Sequence, residues 1–221
     1  MCGRFAFYSP SEATAALFGA SGTLPVEPRY NIAPTQYVAA IRNGEDDSRE
    51  LVMLRWGLVP FWAKDPSIGN RMINARAETV AEKPAYRAAY RRRRCIVLAD
   101  GFYEWHRERD VKTPYFISLA SGEPFALAGL WENWRDKVSG DELQSTTLIT
   151  TEANEFMAAL HHRMPMVLEA GSADAWLGGD DEMIHTDNTP RLRAWPVDRR
   201  VNNARNQGED LIEPSDDAIE G

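Results

Sequence analysis

The 221-residue chain is short of the residues that bind metals and staple small folds. Its two cysteines, Cys2 and Cys95, lie far apart, and its four histidines add no ligand spacing. The adjacent pair His161 and His162 cannot readily turn both rings toward one ion. No disulfide framework, metal or cofactor is implied. Long apolar runs are absent as well. None approaches the roughly 20 residues of a bilayer-spanning helix, and no basic segment followed by an apolar one opens the chain. The expectation is a cytoplasmic protein with no membrane partner. Its 43% hydrophobic and 26% charged residues are those of an ordinary globular chain.

An excess of positive charge is missing too, since the formal net charge is −8. That total argues against phosphate binding, which depends on Lys and Arg, but its distribution weakens the objection. Acidic residues gather between Gly179 and Glu182 and in the tail from Glu209 to Glu220, whereas Arg71, Arg76, Arg87 and Arg91 to Arg94 cluster mid-chain. Arg91 to Arg94 allow two readings. They are a solvated helix end whose cations complement the C-terminal dipole, or part of a basic face on an acidic protein.

What is present is the patterning of one domain. Ser9-Pro10-Ser11-Glu12 supplies a cap and a first-turn acid for a helix through Phe18, and Gly19 follows it. Tyr37 to Ile41 and Leu51 to Trp56 read as a hairpin around a polar turn. Pro84 opens a second helix that runs into the arginine cluster, and the apolar run Cys95 to Ala99 follows as a central strand with an inert, buried Cys95. Beyond the Asp100-Gly101 turn, Phe102 to Trp105 form a strand in which Glu104 shares a face with Phe102. Further strands are predicted at Tyr115 to Leu119, Phe125 to Leu130 and Ser145 to Thr150. The last leads into a helix from Glu152 to Leu160, capped by Thr150 or Thr151, with His161 at its end. Many short strands and few helices give an α+β fold, a single domain with a largely antiparallel, barrel-like β core and flanking helices. That domain is expected over residues 1–214, with 215–221 an acidic flexible tail, and the protein is expected to be a monomer.

Cys2 is the most informative position. Removal of Met1 would put an amine and a thiol on one two-carbon unit. The amine, with an ordinary pKa of about 7.7–8.0, is substantially unprotonated near neutrality. An aldehyde meeting this unit is captured twice, first as a Schiff base and then by the thiol, which closes a thiazolidine ring on the same carbon. The plainer alternative is a small second residue that merely permits Met1 removal.

Three polar residues stand in surroundings that need a reason. Asn74 follows the apolar pair Met72-Ile73 and either holds a turn or hydrogen-bonds a substrate. Glu104, among Phe102, Tyr103 and Trp105, is a desolvated general acid with a raised pKa or a surface strand residue. His161 is a proton shuttle or a cap on helix carbonyls. Trp62, in Trp56-Gly57-Leu58-Val59-Pro60-Phe61-Trp62, offers a ring for base stacking or packs in the core.

Read together, these segments resemble the SOS-response-associated peptidase (SRAP) family of abasic-site processing proteins. The resemblance rests on Met1-Cys2-Gly3-Arg4-Phe5, Tyr30-Asn31-Ile32-Ala33-Pro34-Thr35, Trp56-Gly57-Leu58-Val59-Pro60 and Asn74-Ala75-Arg76-Ala77-Glu78-Thr79. It continues through Asp100-Gly101-Phe102-Tyr103-Glu104-Trp105, Thr150-Thr151-Glu152-Ala153-Asn154, His161-His162-Arg163-Met164-Pro165 and Val201-Asn202-Asn203. It implies a protein that binds single-stranded DNA, localises with the nucleoid when so bound, and links Cys2 covalently to the ring-opened aldehyde of an abasic site. By the same match the catalytic residues are Cys2, Asn74, Glu104 and His161. The DNA contacts are Arg4, Pro34, Trp62, Arg76, Thr150 and Arg163. Two rival chemistries also begin from Cys2: glutamine amidohydrolysis by an N-terminal nucleophile, in which Arg4-Phe5 replaces the expected apolar pair, and thiol autopeptidase or lyase activity. A reversible sensor of single strands is the non-enzymatic alternative.

Overall fold

The computed structural model describes residues 2–44, 48–186 and 189–215. In chain order they form β1 (Phe5–Phe7), α1 (Ser11–Leu17), β2 (Arg29–Ile32), β3 (Tyr37–Asn43), β4 (Arg49–Trp56), β5 (Asn74–Arg76), α2 (Ala77–Val80) and α3 (Arg87–Arg92). There follow β6 (Arg94–Ala99), β7 (Gly101–Glu108), β8 (Val111–Leu119), β9 (Phe125–Arg135), β10 (Glu142–Glu152) and α4 (Glu155–Ala158). The chain ends with β11 (Arg163–Pro165), β12 (Val167–Leu168), α5 (Ala170–Leu177) and β13 (Leu192–Pro196).

Five strands close a barrel. β10 pairs with β4, β4 with β3, β3 with β6, β6 with β9, and β9 returns to β10. The β10–β4 pairing is parallel and the other four are antiparallel. β6 passes through the middle with Cys95 to Ala99 fully buried, the environment that a continuous apolar strand requires. Cys95 lies against Thr146, Sγ to Oγ1 3.4 Å, and burial pushes its thiol up to about 12. The burial expected of this cysteine is observed.

A second, antiparallel sheet runs β13-β8-β7-β1-β2. The edge-to-face contact of Phe5 on Trp56, ring centroids 5.2 Å apart, packs it on the barrel. Gly101 permits the close approach of β7 to β8, because a Cβ there would meet the Phe116 ring at 2.1 Å. The fold class is the expected one.

Local expectations fared unevenly. The hairpin of β3 and β4 forms with Tyr37 opposite Arg55. The predicted helix from Glu152 to Leu160 is a single turn, α4, because β10 continues to Glu152. Asn154 caps that turn, its Oδ1 accepting from the Met157 N–H at 3.0 Å, whereas Thr150 and Thr151 remain in the strand. Helix α3 starts at Arg87 rather than beside Pro84. The arginine run divides. Arg93 pairs with Glu132 at 2.8 Å, and buried Arg94 is held by the carbonyls of Tyr90 and Asp180, by Asp181, and between the rings of Tyr90 and Trp176. Of the expected tail, Ser215 bonds to the Pro196 carbonyl, and residues 216–221 lie outside the described residues.

Candidate active site

The site begins where β1 enters the second sheet. Phe5 lies opposite Phe102, and the Tyr103 N–H donates to the Arg4 carbonyl at 2.9 Å, so residues 2–4 are drawn alongside Tyr103 and Glu104. Cys2 is fully buried there. Its Sγ lies 3.8 Å from the Arg4 carbonyl, and its thiol pKa is pushed well up, first by burial and then by the Glu104 carboxylate. Burial disfavours a thiolate, and a neighbouring anion adds to the effect.

Asn74 comes from the barrel side. It opens β5, in parallel register with Leu148 of β10, and its Nδ2 donates to the Cys2 carbonyl at 2.8 Å. Its Oδ1 is buried with no hydrogen-bond partner among the described residues, while its own carbonyl accepts from the Tyr86 hydroxyl at 3.3 Å. A half-used amide beside the Cys2 backbone is a preformed acceptor for a nearby N–H. Asn74 thus lies in a strand, not the turn that its sequence also allowed.

Glu104 lies opposite Tyr115 in β7 and is 3% exposed, which removes the reading as a surface residue. His106, two residues along the same face, approaches the Leu160 carbonyl at 3.4 Å and so ties this strand to the turn carrying His161. The His161 Nδ1 lies 2.9 Å from the Arg163 carbonyl and 3.0 Å from its N–H, so one tautomer donates and the other accepts. Its ring stacks on His162 at 4.4 Å, and the His162 pKa is lowered chiefly by that neighbour.

The expected DNA-contact residues occupy different settings. Arg163 is 6% exposed and bidentate on Glu78, at 2.6 and 3.0 Å, and also donates to the carbonyl of buried Thr150 at 2.6 Å. Arg4 donates to Asn31 Oδ1 at 2.7 Å and to the Val201 carbonyl at 2.8 Å. Arg76, opposite Thr150 in the β5–β10 register, is exposed. Trp62 is 47% exposed, on the turn after Pro60, and so is not a core residue. Pro34 is half-buried before Thr35, a residue held at φ 73. Among the described residues, no hydrogen bond or ring contact joins Trp62 or Pro34 to the Cys2 cluster.

Three participants escaped sequence reading. Asn31 is fully buried and its Nδ2 faces the carbonyls of Val201, Asn203 and Asn206 at 3.0–3.2 Å, pinning the C-terminal segment behind Arg4. Glu78 neutralises Arg163, and Tyr86 braces Asn74. Each stands in or near a quoted motif, but long-range partners leave no mark in local spacing.

A family profile described as SOS response associated peptidase (SRAP) matches residues 1–204. The abasic site processing protein YoaM of Bacillus subtilis is 41% identical over 96% of this chain and 98% of its own. YedK of Escherichia coli, of the same description, is 32% identical over 97% of this chain and 100% of its own. Among solved structures, a protein from Bacteroides thetaiotaomicron superposes with a TM-score of 0.86 at 24% identity, covering 97% of this chain and 100% of that one. With a family match over nearly its whole length and relatives above 30% identity, the chain belongs to the SOS response associated peptidase (SRAP) family.

Proposed function

We propose that this protein processes abasic sites in DNA by capturing the lesion covalently in a single strand, through the amine and thiol of Cys2 once Met1 is removed. The observation that carries the reading is the Cys2 setting: a buried thiol beside Glu104, with its carbonyl held by the Asn74 amide. The relatives named as abasic site processing proteins supply the substrate class.

The Cys2 amine adds to the aldehyde of the opened deoxyribose, and the carbinolamine loses water to give an imine. The thiol then adds to the imine carbon and its proton passes to nitrogen, closing the thiazolidine with net loss of one water. A thiol held neutral is a weak first nucleophile, so the amine attacks first. That order also disfavours the rivals, glutamine amidohydrolysis and autopeptidase chemistry, which need a thiolate at the outset. Asn74 Oδ1 orients the amine, Glu104 relays protons during ring opening and dehydration, and His161 exchanges a proton with the sugar hydroxyl. Arg76 takes a flanking phosphate. Arg4 contributes charge from behind, its guanidinium already held, Arg163, neutralised by Glu78 and fixed by Thr150, braces the segment that carries His161, and Pro34 and Trp62 pack beside the gap left by the missing base.

The test is denaturing electrophoresis with a uracil-excised oligonucleotide, using protein shown by intact mass to lack Met1. Wild type should give an SDS-stable band, with a mass equal to protein plus oligonucleotide less one water. An equally stable adduct with Cys2→Ser would sink the proposal, and ammonia release from glutamine would favour the amidohydrolase.

A further inference from the structure

A groove of about 620 Å³ lies between α3 and the turn carrying Phe61, lined by Phe61, Arg87, Arg91, Arg92, Arg93 and Trp131. Four arginines face one carboxylate there, Glu132, and Arg93 already pairs with it. Arg87, Arg91 and Arg92 are exposed, with no hydrogen bond or ion pair among the described residues. The helix dipole accounts for Arg91 and Arg92 in the last turn of α3. It does not account for Arg87, the first residue of that helix, where a cation is disfavoured. Arg87 and Arg91 are also four residues apart on one helix, a spacing at which like charges repel. Among the described residues Glu132 is the one carboxylate lining this groove and it pairs with Arg93, so an external polyanion is the fitting complement to Arg87, Arg91 and Arg92. Trp131 in the groove is covered on one side by Arg42, whose guanidinium lies 4.1 Å from the ring centroid and pairs with Glu50.

Both walls of the groove start at residues of the proposed capture site. Tyr86, which precedes α3, bonds to the Asn74 carbonyl. Phe61 precedes Trp62 and lines the groove together with Glu132. Two exposed rings, Trp62 and Phe61, are thus adjacent in the chain, and Phe61 lines the groove with the arginines. Alternating rings and cations suit single-stranded nucleic acid.

We infer that the α3 groove binds the phosphodiester backbone of the captured DNA strand beyond the abasic nucleotide. This extends the capture reading and rests on it, giving the protein a second, length-dependent grip remote from Cys2.

The test uses full-length protein and undamaged oligothymidylates of about 6 and about 20 nucleotides, with binding read by fluorescence anisotropy across salt concentrations. The variants are Arg91→Gln/Arg92→Gln and Arg87→Ser/Arg91→Ser/Arg92→Ser, all at exposed positions, with folding checked by circular dichroism. Wild type should bind the longer strand at least tenfold tighter, and the triple variant should lose most of that gain. Its slope of log affinity against log salt should shrink by about 2, the value for three phosphate contacts on a single strand. Crosslinking of a saturating short abasic oligonucleotide should proceed at the wild-type rate in both variants. A length advantage and salt slope retained by the triple variant, or no length advantage in wild type, would overturn the groove and leave capture standing. Absence of any crosslink in wild type would instead overturn capture, while the undamaged strands still report on the arginines.

Discussion

The Asn74 side chain reaches from the barrel to the second sheet and donates to the Cys2 carbonyl at 2.8 Å. It fixes the backbone of the reactive residue by one face of its amide and leaves Oδ1 buried on the other. Asn74→Leu keeps the branched shape of the side chain and removes both functions. The crosslinking rate should fall tenfold or more, while stability falls by about 0.5–1.5 kcal/mol, the usual net value of one hydrogen bond. Single-turnover rates on denaturing gels, alongside urea unfolding, check it. An unchanged rate would take Asn74 out of the chemistry.

The sequence made strands wherever apolar alternation or a continuous apolar run was long enough to read, as at β3, β4 and β6. It missed β2, β12 and β13, and also β1, β5 and β11, the last three each three residues long. Strands that short have no period of their own and exist because neighbouring strands complete their ladders. These same strands deliver Asn74 and Arg163, and β1 carries the chain on from Cys2. The proposed site residues therefore stood out as motifs, whereas the strands that position them did not. The helix expected after β10 failed for a related reason: Glu152 still pairs with Arg163 in β11, and the ladder outcompetes a helix start. Trp62 was separable from the core tryptophans only by exposure, 47% against 0% for Trp56.

The buried Cys2 thiol leads to a second prediction. Its pKa is raised by desolvation and then by Glu104, so thiolate is scarce at pH 7–8. Alkylation by iodoacetamide should be at least tenfold slower than for a free cysteine at pH 8, and Glu104→Gln should speed it by removing the nearby anion. Cys95, with its thiol pushed up to about 12, should stay unlabelled in the folded protein. Mass spectrometry after timed quenching distinguishes the two sites. Rapid labelling of Cys2 at pH 7 would contradict the order of amine before thiol.

The Glu78–Arg163 pair supports the loop that carries His161. Arg163 is the buried member, its side chain 7% exposed against 44% for Glu78. Truncating the carboxylate leaves a desolvated guanidinium with Thr150 as its remaining acceptor. Glu78→Ala should cost about 1–3 kcal/mol, more than a volume-matched Arg163→Met in the Glu78→Ala background. The pH dependence has a definite sign. The hydrogen bond from Arg163 holds the Glu78 carboxyl below its ordinary value, so its stabilisation is present above about pH 4.5 and is lost as pH falls through the lowered value. Urea midpoints of wild type and Glu78→Gln should therefore differ at pH 7 and converge toward pH 3.

Trp62 is the remaining case in which exposure decides the role. A large ring left 47% exposed beside a still more exposed Phe61 gains little from the fold, so its removal should cost little stability. Stacking on a base next to the lesion is worth about 1–3 kcal/mol, which is roughly a 5- to 150-fold change in affinity. Trp62→Ala should thus weaken binding of an abasic single strand within that range and leave the thermal midpoint within a few degrees of wild type. Because stacking positions the strand and does not react with it, the crosslinking rate at saturating DNA should change far less than the concentration needed to saturate. Concentration-dependent crosslinking rates separate the two quantities. A variant that saturates at the wild-type concentration but reacts slowly would assign Trp62 to the reacting sugar instead of its neighbour.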